Sequence, residues 1–175
     1  MTLIRPSQAE DLPAITGIYE HHVLHGTATF ELVPPTQAEM SQRRDDVLSK
    51  GLPYLVCVEN GRVLGYAYAN WFKPRPAYRF TVEHSIYLAH DTAGRGLGRL
   101  LLAELASQCE RRGVRKMVAV IGGADNLASI HLHRALGFAQ CGLMRDAGWK
   151  HGRWLDVVMM DRVLGAGGTT PPETA

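Results

Sequence analysis

"LAHDTAGRGLGRLLL", residues 88–102, decides how this chain folds. It leaves an apolar, strand-like run and enters a leucine-rich one, with glycine at 94, 96 and 98. Glycine is a poor helix former, so three of them at the head of a helix need a reason. A helix N-terminus carries unpaired N–H groups and a partial positive charge, and a phosphate can sit there if no side chain intervenes. Taken by itself, the stretch is also compatible with a tight β-to-α turn that binds nothing. The spacing G-x-G-x-G argues against a Walker loop, which needs G-x-x-x-x-G-K-S/T. It also argues against a dinucleotide fingerprint, which needs G-x-G-x-x-G after an early first strand.

Working outward, "YRFTVEHSIYLAH" (78–90) reads as a strand, with Val82, His84, Ile86 and Leu88 on one face and Thr81, Glu83, Ser85 and Tyr87 on the other. Past the glycines, Leu97, Leu100, Leu101, Leu105 and Cys109 follow a helical period that Gly113 can end. "KMVAVIG" reads as a strand and "NLASIHLHRALG" as a helix. Residues 138–164 read as two strands around a turn. Toward the N-terminus, "SQAE" (Ser7–Glu10) and "TQAE" (Thr36–Glu39) are capping boxes. The first opens a helix with Leu12, Ile15, Tyr19 and Val23 inward, the second a more polar helix to about Lys50. "HGTATFELVPP" between them is a loop. "PYLVCVENGRVLGYAYANW" is a hairpin turning at Asn60-Gly61. The expected order is α, α, a β-hairpin, then β-α-β-α-β-β. That predicts an α/β (α+β) chain with a mixed sheet covered by helices, as a single domain over residues 1–164. "GAGGTTPPETA" (165–175) is expected to be an unstructured tail.

The bulk properties suit one soluble domain. The chain has 175 residues, 46% of them hydrophobic and 21% charged. A net charge of +2 with scattered basic residues predicts no nucleic-acid partner. No apolar run approaches the roughly 20 residues that span a bilayer, which predicts no membrane partner. The three cysteines, Cys57, Cys109 and Cys141, are widely spaced and odd in number. They fit buried free thiols in a reducing, cytoplasmic setting. Eight histidines occur without an H-E-x-x-H or a Cys/His quartet, so no metal is expected.

The glycine loop resembles the pyrophosphate loop of the GNAT family of N-acetyltransferases, Q/R-x-x-G-x-G/A. Gly96 and Gly98 match, and Ala93 stands where the family has Gln or Arg. A second stretch, "NLASIHLHRALGF", is similar to the family's N-x-x-A/S-x-x-L/F-Y/H-x-x-x-G-F, with Asn126, Ser129, Leu132, His133, Gly137 and Phe138 in register. The likeness covers roughly residues 3–163. "RFTVEHSIYL", "GTATFE" (26–31) and "HGRWLDVVMM" resemble the subgroup that acetylates phosphinothricin and methionine sulfoximine or sulfone.

The resemblance implies the GNAT fold, a mixed and mostly antiparallel central sheet flanked by helices, with a splayed cofactor-binding strand. It implies acetyl-CoA as cosubstrate, the α-amino group of a small amino acid or analogue as acceptor, direct attack in a ternary complex, and a homodimer. Carried over residue by residue, it sets the pantetheine arm beside Ile86, Tyr87 and Leu88. The pyrophosphate falls on Gly94, Arg95, Gly96, Leu97, Gly98 and Arg99. Glu83 becomes the group that accepts the amine proton, and burial would raise its pKa into a useful range. Asn126 would contact the pantetheine or order water near the thioester. His133 stands where many family members have tyrosine. It either gives a proton to the departing thiolate or is a hydrogen-bonded structural residue, and Tyr87 is another possible donor. Arg75 and Arg79 are candidates for the acceptor's carboxylate, with Phe30 and Glu31, and also Trp71 and Tyr78, lining the same pocket. Two other functions fit the same motifs: acetylation of a protein or peptide amine, and a CoA-binding sensor without catalysis.

Overall fold

The computed structural model describes residues 2–172. Seven strands form one sheet. They are β1 (Thr2–Pro6), β2 (Tyr54–Glu59), β3 (Arg62–Trp71), β4 (Thr81–Leu88), β5 (Lys116–Gly122), β6 (Ala139–Lys150) and β7 (Arg153–Val163). Four α-helices accompany them: α1 (Leu12–His25), α2 (Gln37–Ser49), α3 (Leu97–Arg111) and α4 (Leu127–Ala135). The strand order is β1-β2-β3-β4-β5-β7-β6, and only β4 and β5 run parallel.

Turn chemistry sets the two hairpins. Asn60 and Gly61 have φ of 51° and 79°, and His151 and Gly152 have φ of 51° and 73°. Both pairs adopt the left-handed geometry that a two-residue turn between right-twisted strands requires. The parallel pair needs a crossover, which α3 supplies. Leu97, Leu101, Leu105 and Cys109 are buried at a spacing of four, joined by Leu102. Burying each fully enclosed leucine contributes roughly 1.5–3 kcal/mol relative to leaving it in water. After Cys109, the Val114 amide bonds back to the Cys109 carbonyl while Gly113 takes φ of 81°, ending the helix.

Alternation along β4 sorts the helices onto opposite faces of the sheet. The Tyr87 ring meets Tyr19 of α1 at 5.0 Å. On the other face, Leu88 reaches Gly98 of α3 and His84 reaches His133 of α4. The expected cover of helices is therefore present, and it lies on both faces.

Several local expectations are corrected. The first strand, β1, was missed: its five residues pair antiparallel with β2 at the sheet edge, Ile4 opposite Cys57. "SQAE" is not a capping box. The Ser7 hydroxyl accepts from Arg44 Nε at 2.8 Å, and the Asp11 carboxylate takes the Gln8 amide at 2.7 Å. A 3-10 turn, Ala9–Asp11, thus precedes α1. "TQAE" does cap α2, through Thr36 and Glu39. Leu100 is 53% exposed, and Leu102 occupies the buried position instead. Cys57 and Cys109 are buried, but Cys141 is exposed on β6. Residues 165–168 form turns, with Gly167 N–H on the Leu164 carbonyl and Thr169 N–H on that of Ala166. The last part of the expected tail, 173–175, lies outside the described residues. Among the described residues, no helix is long and apolar enough to cross a membrane.

Candidate active site

The parallel ladder between β4 and β5 is short. It runs from Thr81 opposite Lys116 to His84 opposite Ala119 and stops, while β5 continues to Gly122 paired with β7. Beyond His84 the two strands part, and a cleft of about 270 Å³ opens between them. Its walls are Glu83 to Tyr87 from β4, Ala119 to Gly122 from β5, Asn126, Ser129 and His133 from α4 and its cap, and Ala28 and Phe30 from the loop after α1.

That loop is pinned over the end of β5 by several contacts that need particular residues. A Cβ at Gly122 would strike the Thr27 carbonyl, so only glycine lets the chain cross there. The Phe30 ring fits between Gly122 and Gly148. Lys150, 3% exposed, donates from Nζ to the Thr29 carbonyl at 2.8 Å. Burial pushes its ammonium pKa down, opposed by Glu31. His151 Nε2 donates to the Gly26 carbonyl at 3.2 Å.

Glu83 lies half-buried in the cleft wall, and burial raises its carboxyl pKa against the opposing field of Lys73. Among the described residues it has no ion pair. Asn126 caps α4: its Oδ1 accepts from the Ser129 amide at 3.3 Å. Tyr87 is wedged between the rings of Tyr19 and Tyr66, and burial drives its phenol pKa well above the usual value. The Leu88 carbonyl is taken by His22 Nε2 at 2.8 Å. His133 is 2% exposed, with Nδ1 at 2.6 Å from the Ser129 carbonyl and Nε2 at 2.9 Å from His84 Nε2. Burial lowers the pKa of both rings, that of His84 to about 3.

The glycine stretch divides its labour. Gly94 and Gly96 have φ of 76° and 74°, and open space lies where a Cβ would be. The first-turn amides at Leu97 and Gly98 have no intrahelical acceptor. Gly98 itself is buried: a Cβ there would meet Leu132 at 3.3 Å and Leu88 at 3.5 Å. Its absent side chain serves helix packing. Arg95 donates to Glu59 at 2.6 Å, so its guanidinium is tied to the end of β2, while Arg99 is exposed on α3.

Glu83, Asn126, His133, Ile86, Tyr87 and Phe30 therefore meet at one cleft. Arg75 and Arg79 do not line it; they flank the 3-10 turn Pro76–Tyr78 in the connection before β4, with Arg79 over the Phe80 ring. Glu31 is also outside the lining: it holds Arg43 at 2.6 Å and accepts from the Tyr19 hydroxyl at 2.9 Å. Trp71 packs against the core beneath Lys50, and Tyr78 is exposed. Sequence reasoning missed His84, Lys73 and Lys150. His84 left one signal, a polar ring on the inward face of a strand, which must find a partner.

A sheet whose one parallel pair splays at a cleft, followed by an open glycine turn onto a helix, is the architecture expected of an acetyltransferase. Residues 18–138 match the family described as acetyltransferase (GNAT). The chain belongs to that family. It is 52% identical to a phosphinothricin N-acetyltransferase of Alcaligenes faecalis, over 97% of this chain and 86% of that one. It is 42% identical to an L-methionine sulfoximine/L-methionine sulfone acetyltransferase of Pseudomonas aeruginosa, over 90% and 91%. Among solved structures, a phosphinothricin acetyltransferase from Sinorhizobium meliloti in complex with AcCoA superposes with a TM-score of 0.97 at 50% identity, covering 99% of this chain and 94% of that one.

Proposed function

We propose that this chain is an acetyl-CoA-dependent N-acetyltransferase acting on the α-amino group of a small amino acid or analogue of the phosphinothricin or methionine sulfoximine type. The observation that carries this reading is a half-buried carboxylate, Glu83, without an ion pair among the described residues, at the point where β4 and β5 separate. The residues fit the cosubstrate. The parted strand edge offers unpaired backbone groups to an extended pantetheine arm, and Gly94 and Gly96 leave open backbone for a diphosphate. Bound there, acetyl-CoA would supply an activated acyl carbon.

The chain's own residues do the rest. Glu83, its pKa raised by burial, accepts the proton that an α-ammonium must lose before its lone pair can react. Asn126, fixed by its capping bond, keeps an amide N–H at the cleft. Phe30, clamped between two glycines, shapes the acceptor side and excludes water. Arg75 and Arg79 are assigned to the acceptor's carboxylate, supported by their place just before the Glu83 strand and by the Lys73 field that already reaches Glu83.

We assign the chain to the cytoplasm, supported by its free cysteines, and we assign it a homodimeric state. Support for the dimer lies on the last hairpin, where Leu143, Met144, Trp149 and Trp154 are exposed, the two tryptophans stacked edge-on at 5.4 Å. The test is thiol release from acetyl-CoA against a panel of free amino acids, sulfoximines and short peptides. Release with free amino acids or their analogues is expected. Release only with peptides, or none with cosubstrate bound, refutes the proposal. Glu83→Gln should lose turnover while keeping acetyl-CoA affinity.

A further inference from the structure

We propose that His84 and His133 hold one proton between them beneath the cleft, and that His84 is the positioning residue that keeps His133 ready to give that proton to the departing sulfur. The second half rests on the acetyltransferase function proposed above; the first half does not.

The case is a proton count. His84 Nδ1 lies 3.0 Å from the Val118 carbonyl, and His133 Nδ1 lies 2.6 Å from the Ser129 carbonyl. A carbonyl oxygen only accepts, so each Nδ1 carries a hydrogen. The two Nε2 atoms then face each other at 2.9 Å. Two bare lone pairs do not rest at hydrogen-bonding distance, so one Nε2 carries a hydrogen too. The Ser129 hydroxyl, 3.4 Å from His133 Nδ1, can accept from that same N–H and asks for no further proton. The other three contacts need three protons, and two neutral imidazoles own only two. The third proton gives the pair a single positive charge. A fourth would set two N–H groups against each other. Burial lowers both rings, His84 to about 3 with the His133 charge adding to it, so a second positive charge on the pair is strongly disfavoured.

A lone buried charge needs compensation. Two carbonyls accept from the pair through charge-assisted bonds. His133 also sits in the last turn of α4, where the helix end is partially negative. The Phe138 ring packs within 5.1–5.4 Å of both imidazoles. The surrounding elements bring few other charges. On β4, Glu83 points to the opposite face from His84. Lys116, at the start of β5, is paired with Asp161 of β7. On α4, His131 and Arg134 are exposed. No charged side chain beyond the pair itself contributes to the electrostatics of either ring.

Both rings line the cleft. In the transfer, the amine nitrogen bonds to the acyl carbon and the carbon–sulfur bond breaks. The α-ammonium gives one proton to Glu83 before attack and Glu83 passes it to solvent; the tetrahedral adduct's nitrogen then releases a second by the same route, and the pair's proton goes to the sulfur. Solvent reloads the pair. Without that proton the Nε2–Nε2 contact has no hydrogen and opens, so the pair delivers one proton per turnover.

The test begins with the resting protein labelled with nitrogen-15 in histidine. Two-bond proton–nitrogen correlation spectra between pH 5 and 9 should show both Nδ1 atoms protonated and both Nε2 signals moving together in one step. Two unprotonated Nε2 atoms throughout that range, or two independent steps, overturn the proposal whether or not acetyl transfer occurs. The second arm is His84→Leu in the active enzyme, a side chain with no acceptor. Raising pH removes the shared proton, so turnover falls on the alkaline side. With the His84 acceptor gone, the His133 imidazolium is less favoured and that fall should start about one pH unit lower. Acetyl-CoA affinity should stay within about twofold. A purely structural His84 would lower the melting temperature and leave the alkaline limb in place, and that result also overturns the positioning role.

Discussion

The Phe30 clamp makes a quantitative prediction for Gly148→Ala. A Cβ at 148 would come within 3.1 Å of the ring's Cζ and closer still to Cδ2 and Cε2, so the whole ring edge must move. It cannot retreat toward β5, because the site of a Cβ at Gly122 already lies 3.0 Å from Cε1 on its other side. The open direction is the cleft. Overpacking of this kind costs about 1–3 kcal/mol, and the two readouts share it. If the ring stays, stability falls by that amount, a melting shift of about 2–12 °C for a chain of this size. If the ring swings into the cleft, the acceptor must push it back, and its KM rises about 5- to 140-fold instead. The decisive control is a double-mutant cycle with Phe30→Ala, read by thermal denaturation and acceptor KM. Once the ring is gone the collision vanishes, and alanine in a strand gains about 0.5–1 kcal/mol over glycine. The sign of Gly148→Ala should therefore reverse in the Phe30→Ala background. An equal penalty in both backgrounds would show that the ring is not what Gly148 accommodates.

Two further predictions concern the glycine turn and the entry to α1. Gly96→Ala forces a left-handed alanine at φ 74° and should weaken acetyl-CoA binding by about fivefold or more, roughly 1 kcal/mol. Gly98→Ala should instead lower stability by about 1 kcal/mol, through Leu132, with binding unchanged. Calorimetry that finds the two variants alike would remove the division of roles. Asp11, whose carboxyl pKa is held down chiefly by the Arg5 hydrogen bond, contributes stability that is full above its unfolded value and lost as pH falls through the folded one. Asp11→Asn should therefore be less stable at pH 7 and show a smaller drop in urea midpoint between pH 7 and pH 3. Parallel curves for the two proteins would contradict this.

Much of the frame was legible because it depends on short-range chemistry. Asn60-Gly61 specifies its turn through the φ values it tolerates, and Leu97, Leu101 and Leu105 announce a helix face by spacing alone. The strand Thr81–Leu88 and its two faces follow from alternation, and the cleft forms where that strand leaves β5. What failed was decided at long range. β1 is a five-residue edge strand, too short to show a period and ending in proline, and its partner lies about fifty residues away. Ser7 matches a capping box in sequence, yet Arg44 of another helix claims its hydroxyl, and Asp11, tied to Arg5, does the capping work. Leu100 and Leu102 fit the helical period almost equally, and the position of the sheet under α3 chose between them.

The site divides along the same line. Residues recognisable by type and offset, Glu83, Asn126 and His133, converge on the cleft. Residues judged by charge alone did not follow. Arg95 and Glu31 looked available because a sequence cannot display the partner that occupies a guanidinium or carboxylate. Glu59 holds the first, and Arg43 holds the second. Gly98 carried the converse error: its missing side chain was read as room for a ligand, whereas Leu88 and Leu132 fill that space. His84 shows why such partners matter for chemistry as well as packing. Read alone it is a misplaced polar residue on a buried face. Paired with His133 at 2.9 Å, each ring also held by a carbonyl, it sets how many protons the floor of the cleft can hold. Proton inventory belongs to the pair, so no inspection of single positions along the chain would have found it.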